Sequence, residues 1–298
     1  MLVECVANVS EGRRPAVISA CAGALERAGA RLLDVSSDPS HNRSVFSFAG
    51  SPDVVRAAAT ALFEPALAAI DLRHHTGVHP RIGAVDVVPF VPLEGATMAD
   101  AIALARAVGA DVAARHALPV FLYAEAATRP DRRRLEHIRR GQFEGLTAKL
   151  ATAGWEPDFG PSAPHRSAGA TAVGARGTLV AFNVNLATDR LDLARQIART
   201  VRESSGGLPA VKALGVALTD RGIVQVAMNL VDVSVTPVAE AFEAVLIEAT
   251  RLGLAVLESE LIGLVPEAAL DEPTARALRI RDWSRRRYLE TRLRETTG

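Results

Sequence analysis

Arg31-Leu-Leu-Asp-Val-Ser-Ser-Asp-Pro-Ser-His-Asn-Arg-Ser-Val-Phe-Ser-Phe48 decides the fold. Two β-branched and aromatic runs, Arg31–Ser36 and Ser44–Phe48, flank a turn rich in Ser, Asp, Pro and Asn, so the stretch reads as two consecutive strands. Upstream, Leu2–Val9 reads as a strand. Val17–Ala28 follows as a helix, with Pro15 suited to its first turn and Gly29 as its stop. Downstream, Pro52–Ile70 has a helical apolar period and Val85–Val91 returns as a strand. The order is β-α-β-β-α-β, the ferredoxin-like split unit. Ala99–Arg115 and Val120–Tyr123 add a helix and a strand, and more helix is expected from about Asp131 to Ala153.

The second half repeats the pattern. Leu179–Asn185 reads as a strand, Leu191–Glu203 as a helix, and Val211–Leu218 with Val224–Val231 as a hairpin across Asp220-Arg221-Gly222. Val238–Arg251 then reads as a helix and Leu254–Ser259 as a strand. The expectation is an α/β (α+β) chain of two βαββαβ subdomains, residues 1–177 and 178–270, with 271–298 as a solvated helix or tail. Between the halves, Trp155–Arg176 is rich in Gly, Pro and Ser and lacks periodicity, which suits a linker or a binding loop.

Composition narrows the function classes. Apolar residues make up 49% and charged residues 23%, as in globular domains, and Lys+Arg equals Asp+Glu at 34 each. No net field exists to draw nucleic acid or an anionic membrane, and 4% aromatics give no stacking platform. The two cysteines, Cys5 and Cys21, form neither a disulfide framework nor a zinc site, so no metal is expected. No basic and apolar leader opens the sequence and no apolar run is long enough to span a bilayer, so a cytoplasmic location is expected.

The chemistry concentrates in Asp71-Leu-Arg-His-His-Thr-Gly-Val-His-Pro-Arg-Ile-Gly-Ala-Val-Asp86. Pro80 holds His79 in extended backbone. An imidazole with an ordinary pKa of about 6.5 suits proton transfer, and Arg73 and Arg81 can bind carboxylates with paired donors. The alternative is a histidine making structural bonds in a loop. His41, Asn42 and Arg43 offer donors at a strand edge, or form an Asx-bonded turn. Asn183 and Asn185 alternate with apolar residues and share a strand face, facing either a polar ligand or each other's structural partners.

Taken together, Asn8-Val-Ser-Glu-Gly12, Asn42-Arg43, Gly77-x-His79-Pro-Arg-x-Gly-Ala-x-Asp86, Tyr123-x-Glu-Ala-Ala127, Ile138-Arg-x-Gly141, Trp155-x-Pro-Asp-Phe-Gly-Pro-Ser162, Ala181-Phe-Asn-x-Asn-Leu186 and Leu261-x-Gly-Leu-Val-Pro266 resemble the formiminotransferase family. The resemblance implies two subdomains whose mixed sheets face each other across a tunnel, and a homodimer. It implies transfer of the formimino group from N-formiminoglutamate to N5 of tetrahydrofolate, the co-substrate, in histidine degradation. Two alternatives remain: formyl transfer from N-formylglutamate or metabolism of 5-formyltetrahydrofolate, and a non-enzymatic folate-binding protein. It implies a catalytic His79, substrate contacts from Asn42, Arg43, Arg81, Asn183 and Asn185, and a folate-lining stretch of Gly160, Pro161, Ser162, Ala163, Pro164, His165, Arg166, Ser167, Ala168 and Gly169. It covers no cyclodeaminase part, so a separate cyclodeaminase is expected downstream. Two positions depart from the family pattern: Ala168 stands where a Trp is expected and Ser36 where an Asp is expected.

Overall fold

The computed structural model describes residues 1–296 and divides into two compact units, Met1–Arg176 and Gly177–Gly298. The first unit runs β1 (Val3–Val9), α1 (Pro15–Arg27), β2 (Arg31–Asp38), β3 (Arg43–Gly50), α2 (Pro52–Ala69), β4 (Val85–Pro92), α3 (Met98–His116), β5 (Val120–Ala124), short helices α4 (Leu135–Arg139) and α5 (Leu146–Leu150), and β6 (Thr171–Ala175). Local chemistry sets the helix ends. Ser51 accepts from the Val54 amide with Pro52 in the first turn of α2, and Thr97 with Asp100 forms a capping box on α3.

The six strands lie in the order β2-β3-β1-β4-β6-β5. The first three pairings are antiparallel, while β4, β6 and β5 are parallel. Alternation gives the sheet two unlike faces. On one, Cys5, Ala7, Phe46, Phe48, Val88 and Phe90 bury against apolar residues of α1–α3. On the other, Phe121, Tyr123 and Ala172 pack with Ile138, Leu146 and Leu150 of α4 and α5. Register places Asn8 of β1 opposite Val45 of β3, so Ser36, Asp38, Arg43 and Asn8 also belong to that second face.

The second unit runs β7 (Val180–Leu186), α6 (Leu191–Val201), β8 (Val211–Leu218), β9 (Ile223–Leu230), α7 (Val238–Arg251), β10 (Val256–Ile262), α8 (Glu272–Ala277) and α9 (Leu289–Glu295). Its sheet is antiparallel throughout, in the order β10-β7-β9-β8. Read from β8, this is the β2-β3-β1-β4 arrangement again, the split β-α-β unit twice over. The repeat extends to register: Asn185, like Asn8, is the next-to-last residue of its strand and sits opposite the third residue of the partner strand.

Three expectations change. Trp155–Arg176 is no linker, because it contains β6, buried between β4 and β5. The helix expected over 131–153 is broken into short pieces around Gly141 and Gly145. The closing segment, expected as a solvated helix or tail, packs Ala275, Leu278, Ile280 and Tyr288 into the second core. It also bridges Ser259 with Ile280 and Val265 with Tyr288. Among the described residues no helix is long and apolar enough to cross a membrane.

Candidate active site

His79 lies on the loop before β4, at the end of the sheet where β1 finishes and β3 begins. Three loops interlock there. The Asn42 amide accepts from Gly12 N–H at 2.9 Å and donates to the Thr76 carbonyl at 2.9 Å. Asn42 takes φ 47°, a left-handed turn conformation that asparagine tolerates. Gly77 runs so close to the 38–43 turn that a β-carbon would stand 2.5 Å from the His41 carbonyl oxygen. This interlock brings Arg43 and His41 to His79. The Asn42 amide thus clamps the loops together through its oxygen and one of its N–H groups.

Arg43 Nη1 donates to Asn8 Oδ1 at 2.8 Å and to His79 Nε2 at 3.2 Å. A guanidinium only donates, so His79 Nε2 carries a lone pair here and the imidazole is neutral. Burial, then the charges of Arg43, Arg139 and His41, push the His79 pKa well below its ordinary value, although the Pro80 carbonyl favours the protonated ring. Burial and the like charge of Arg139 bring Arg43 down to about 10, so it stays charged at neutrality. No other hydrogen bond from its fork is made among the described residues. The result is a neutral base beside a cation with donors to spare.

Behind this pair, Asp86 of β4 accepts Ile82 N–H at 2.7 Å and both Nε and Nη2 of Arg139, at 3.0 and 2.5 Å. Asp86 is 2% exposed, so the carboxylate fixes both the exit of the His79 loop and the placement of Arg139. The motifs around residues 86 and 138–141 were visible in the sequence, but their pairing was not.

Arg81 departs from expectation. Its fork is occupied by Glu144, at 3.0 and 2.7 Å, and by Gln142 at 3.1 Å, while Nε donates to His75 Nδ1 at 3.3 Å. An arginine so engaged has no open pair of donors for a substrate carboxylate. Its bonds anchor the 142–144 loop instead. Arg73, the other arginine considered, pairs with Asp71 on the surface. Ser36 donates to Asp34 Oδ2 at 2.6 Å, so a carboxylate remains beside the position where the family pattern has an Asp.

Gly160–Ala163 are exposed, Pro164 and His165 half-buried and Arg166 exposed. Ser167, Ala168 and Gly169 are pinned down: Leu72 N–H donates to the Ser167 carbonyl at 2.8 Å and Ala84 N–H to the Ala168 carbonyl at 3.0 Å. His165 and Gly169 exchange backbone bonds of 2.8 and 2.9 Å. Gly169 has φ 72°, and a β-carbon there would stand 2.0 Å from the Ile82 carbonyl oxygen. Its missing side chain therefore serves the approach of chain to chain, not of chain to ligand. Ala168 is 1% exposed and packs in the first core.

In the second unit, Asn185 donates to Glu258 and Glu260, each at 3.0 Å, and accepts from Gln225 at 2.9 Å. Arg221 and Arg281 complete the network around the two glutamates. All three hydrogen-bonding groups of the Asn185 amide are consumed, which makes it a structural hub and not the substrate contact expected. Asn183, 6% exposed on the same strand face, makes no side-chain hydrogen bond among the described residues.

Family models match most of the chain. One described as the formiminotransferase domain, N-terminal subdomain, covers residues 2–176, and one described as the formiminotransferase domain covers residues 181–279. A protein named glutamate formimidoyltransferase from Streptococcus pyogenes serotype M1 is 45% identical over 283 residues, 95% of each chain. One of the same name from Thermoplasma acidophilum is 42% identical over 300 residues, 100% of this chain and 99% of that one. A formimidoyltransferase-cyclodeaminase from Sus scrofa is 44% identical over 281 residues, 92% of this chain and 52% of that one, so the chain spans about half of that relative's length.

Proposed function

The chain belongs to the formiminotransferase family, and we propose that it is a glutamate formimidoyltransferase whose proton-transfer residue is His79. It moves the formimino group of N-formimino-L-glutamate to N5 of tetrahydrofolate, a one-carbon transfer in histidine degradation, with tetrahydrofolate as co-substrate. The observation that carries the role of His79 is the 3.2 Å contact between Arg43 Nη1 and His79 Nε2, which keeps the imidazole neutral with its lone pair inside the site.

The reaction needs one proton moved. N5 attacks the formimino carbon and gives a tetrahedral centre bearing three nitrogens. The N5–C bond has formed, N5 must lose its proton, and the glutamate nitrogen must gain one before its bond to carbon breaks. His79 Nε2 takes the proton from N5 and hands it to the leaving nitrogen. Both nitrogens hang on one carbon, so the ring need not swing. A base held well below its ordinary pKa releases its proton readily, which favours the second half of that exchange. Substrate replaces the Arg43–His79 contact, and the remaining N–H groups of Arg43 bind a carboxylate of the glutamate or of the folate tail. The exposed Gly160–Ala163 segment is where the folate-lining role can reside. Asn42 and Arg81 support the site through the protein.

The chain acts as a cytoplasmic homodimer, and a cyclodeaminase activity takes the product onward. The experiment is a turnover assay with tetrahydrofolate and N-formimino-L-glutamate, following 5-formiminotetrahydrofolate. Turnover by the unaltered protein and a loss of about 10²–10⁴-fold in kcat for His79→Ala are expected. Near-normal turnover by a folded His79→Ala protein would remove His79 from the mechanism.

A further inference from the structure

Arg139 closes the short helix α4, and so short a helix does not hold its own place. Leu135–Arg139 is little more than one turn. A helix of that length is marginal without outside support, and its last carbonyls lack partners within it. One side chain supplies them. Lys149 Nζ, from α5, donates to the His137 carbonyl at 3.1 Å and to the Ile138 carbonyl at 2.6 Å. The same nitrogen lies 4.5 Å from the centre of the Trp155 ring, a favourable place for a cation. Burial and the charge of Arg140 bring Lys149 down to about 8, so most of it is still charged at neutrality.

The next residue after those two carbonyls is Arg139. Its fork grips Asp86, and Asp86 fixes the Ile82 N–H, three residues beyond His79. Arg139 also acts on His79 by charge, as one of the cations that keep the imidazole neutral. A second tie follows at once, where Phe143 N–H donates to the Arg81 carbonyl at 3.0 Å. Where α4 ends therefore sets both the seat of the His79 loop and the distance of a positive charge from the ring. Lys149 itself takes no part in the reaction described above.

We infer that Lys149 is a positioning residue for the transfer: its ammonium binds the end of α4 and so places Arg139 and, through Arg139 and Asp86, the His79 loop. The inference rests on His79 as the proton-transfer residue and goes beyond it by giving the geometry of that base a remote determinant. The competing view is that Lys149 only stabilises the first unit, as a cation on two carbonyls and a ring would anywhere. The two views differ for molecules that stay folded. A displaced acid–base group slows the folded enzyme, whereas lost stability lowers the folded fraction and leaves each folded molecule as active as before.

The test is steady-state kinetics with N-formimino-L-glutamate and tetrahydrofolate on the unaltered protein, Lys149→Met and Lys149→Arg, each well below its melting temperature. Lys149→Met keeps an unbranched stem and removes the charge and the donors. Its kcat should fall about tenfold or more, with KM for both substrates unchanged because Arg43 is untouched. The acid limb of its kcat/KM should move up, since Arg139, which with Arg43 and His41 lowers the His79 pKa, is no longer held in place. Lys149→Arg keeps a charge and N–H donors and should restore most of kcat. In an Asp86→Asn background, Lys149→Met should cost no more than about twofold further, because both changes release the same arm. A folded Lys149→Met protein with kcat within about twofold of normal and an unmoved acid limb would overturn the inference, and so would full additivity with Asp86→Asn. Should Lys149→Met fail to fold, Lys149→Gln, which keeps a donor without the charge, is read by the same criteria. Absence of turnover in the unaltered protein, or normal turnover in folded His79→Ala, is a different failure, which overturns the proposed role of His79 and the inference with it.

Discussion

Replacing Asp86 tests the support of the site most directly. The carboxylate is 2% exposed and makes three bonds, one to a peptide N–H and two to the Arg139 fork. Arg139 is itself mostly buried, with its side chain 16% exposed. Asp86→Ala therefore leaves a buried guanidinium without its counter-charge and a buried Ile82 N–H without an acceptor. Breaking a buried pair by removing one partner costs about 3–5 kcal/mol, and the orphaned N–H adds about 1 kcal/mol or more. The two costs share one relaxation, so about 4–5 kcal/mol is expected, a large part of a domain's stability. Asp86→Asn keeps an acceptor for Ile82 N–H and should cost roughly half as much. Urea unfolding of the first unit can be followed through Trp155, which packs edge-on against Phe121 with its ring 4.5 Å from Lys149 Nζ, once Trp283 is changed to Phe. With a slope of about 2 kcal/mol per molar urea, Asp86→Ala should bring the midpoint down by about 2 M. The double variant Asp86→Leu, Arg139→Met should recover much of that loss, because no charge is left buried. A fall below about 0.5 M for Asp86→Ala, or no recovery in the double variant, would refute the reasoning.

The depressed His79 pKa predicts acid tolerance of the reaction and acid sensitivity of the fold. The neutral ring is the active form, so kcat/KM should hold to well below pH 6.5, and Arg43→Met should move the acid limb up toward the ordinary histidine value. In stability the sign is opposite: below pH 6.5 the unfolded chain binds a proton that folded His79 refuses, so stability falls with pH in that window, as urea midpoints at two pH values would show. Gly169→Ala should cost about 3 kcal/mol or more, since φ is 72° and the β-carbon meets the Ile82 carbonyl. Thermal melts would show it, and an unchanged melt would mean that the loop yields easily.

Most of the two repeated units was legible because their strands alternate and their helices carry stops that act locally. β6 was not. Thr171-Ala-Val-Gly-Ala175 is buried on both faces in the parallel part of the sheet, so it has no polar alternation, and its small residues resemble a loop. The site divides the same way. His79 and Arg43 were legible as residue types suited to the chemistry, and their contact follows from three loops meeting. Whether an amide or guanidinium is free for a ligand depends on partners far away in sequence. Asn42 turned out to bond Gly12 and Thr76, Arg81 to be spent on Glu144, and Asn185 on Glu258, Glu260 and Gln225. The Asp86–Arg139 pair spans fifty-three positions and left no signal of its own.

The position of β6 also has a consequence for how the protein is made. β4 and β5 are both parallel to it and touch it, one on each side. Until Thr171–Ala175 leaves the ribosome, the nascent chain holds a four-stranded sheet with the β4 edge bare and β5 without a neighbour. The slow step of the first unit is then insertion of a late strand into a gap, a long-range parallel pairing with a high loop-closure cost. During that interval the exposed edge of β4, Val85–Pro92, is open to pairing with another chain. Aggregation during rapid expression should therefore trace to the first half of the sequence, and a pause in translation near residue 176, which delays the emergence of β6, should worsen it.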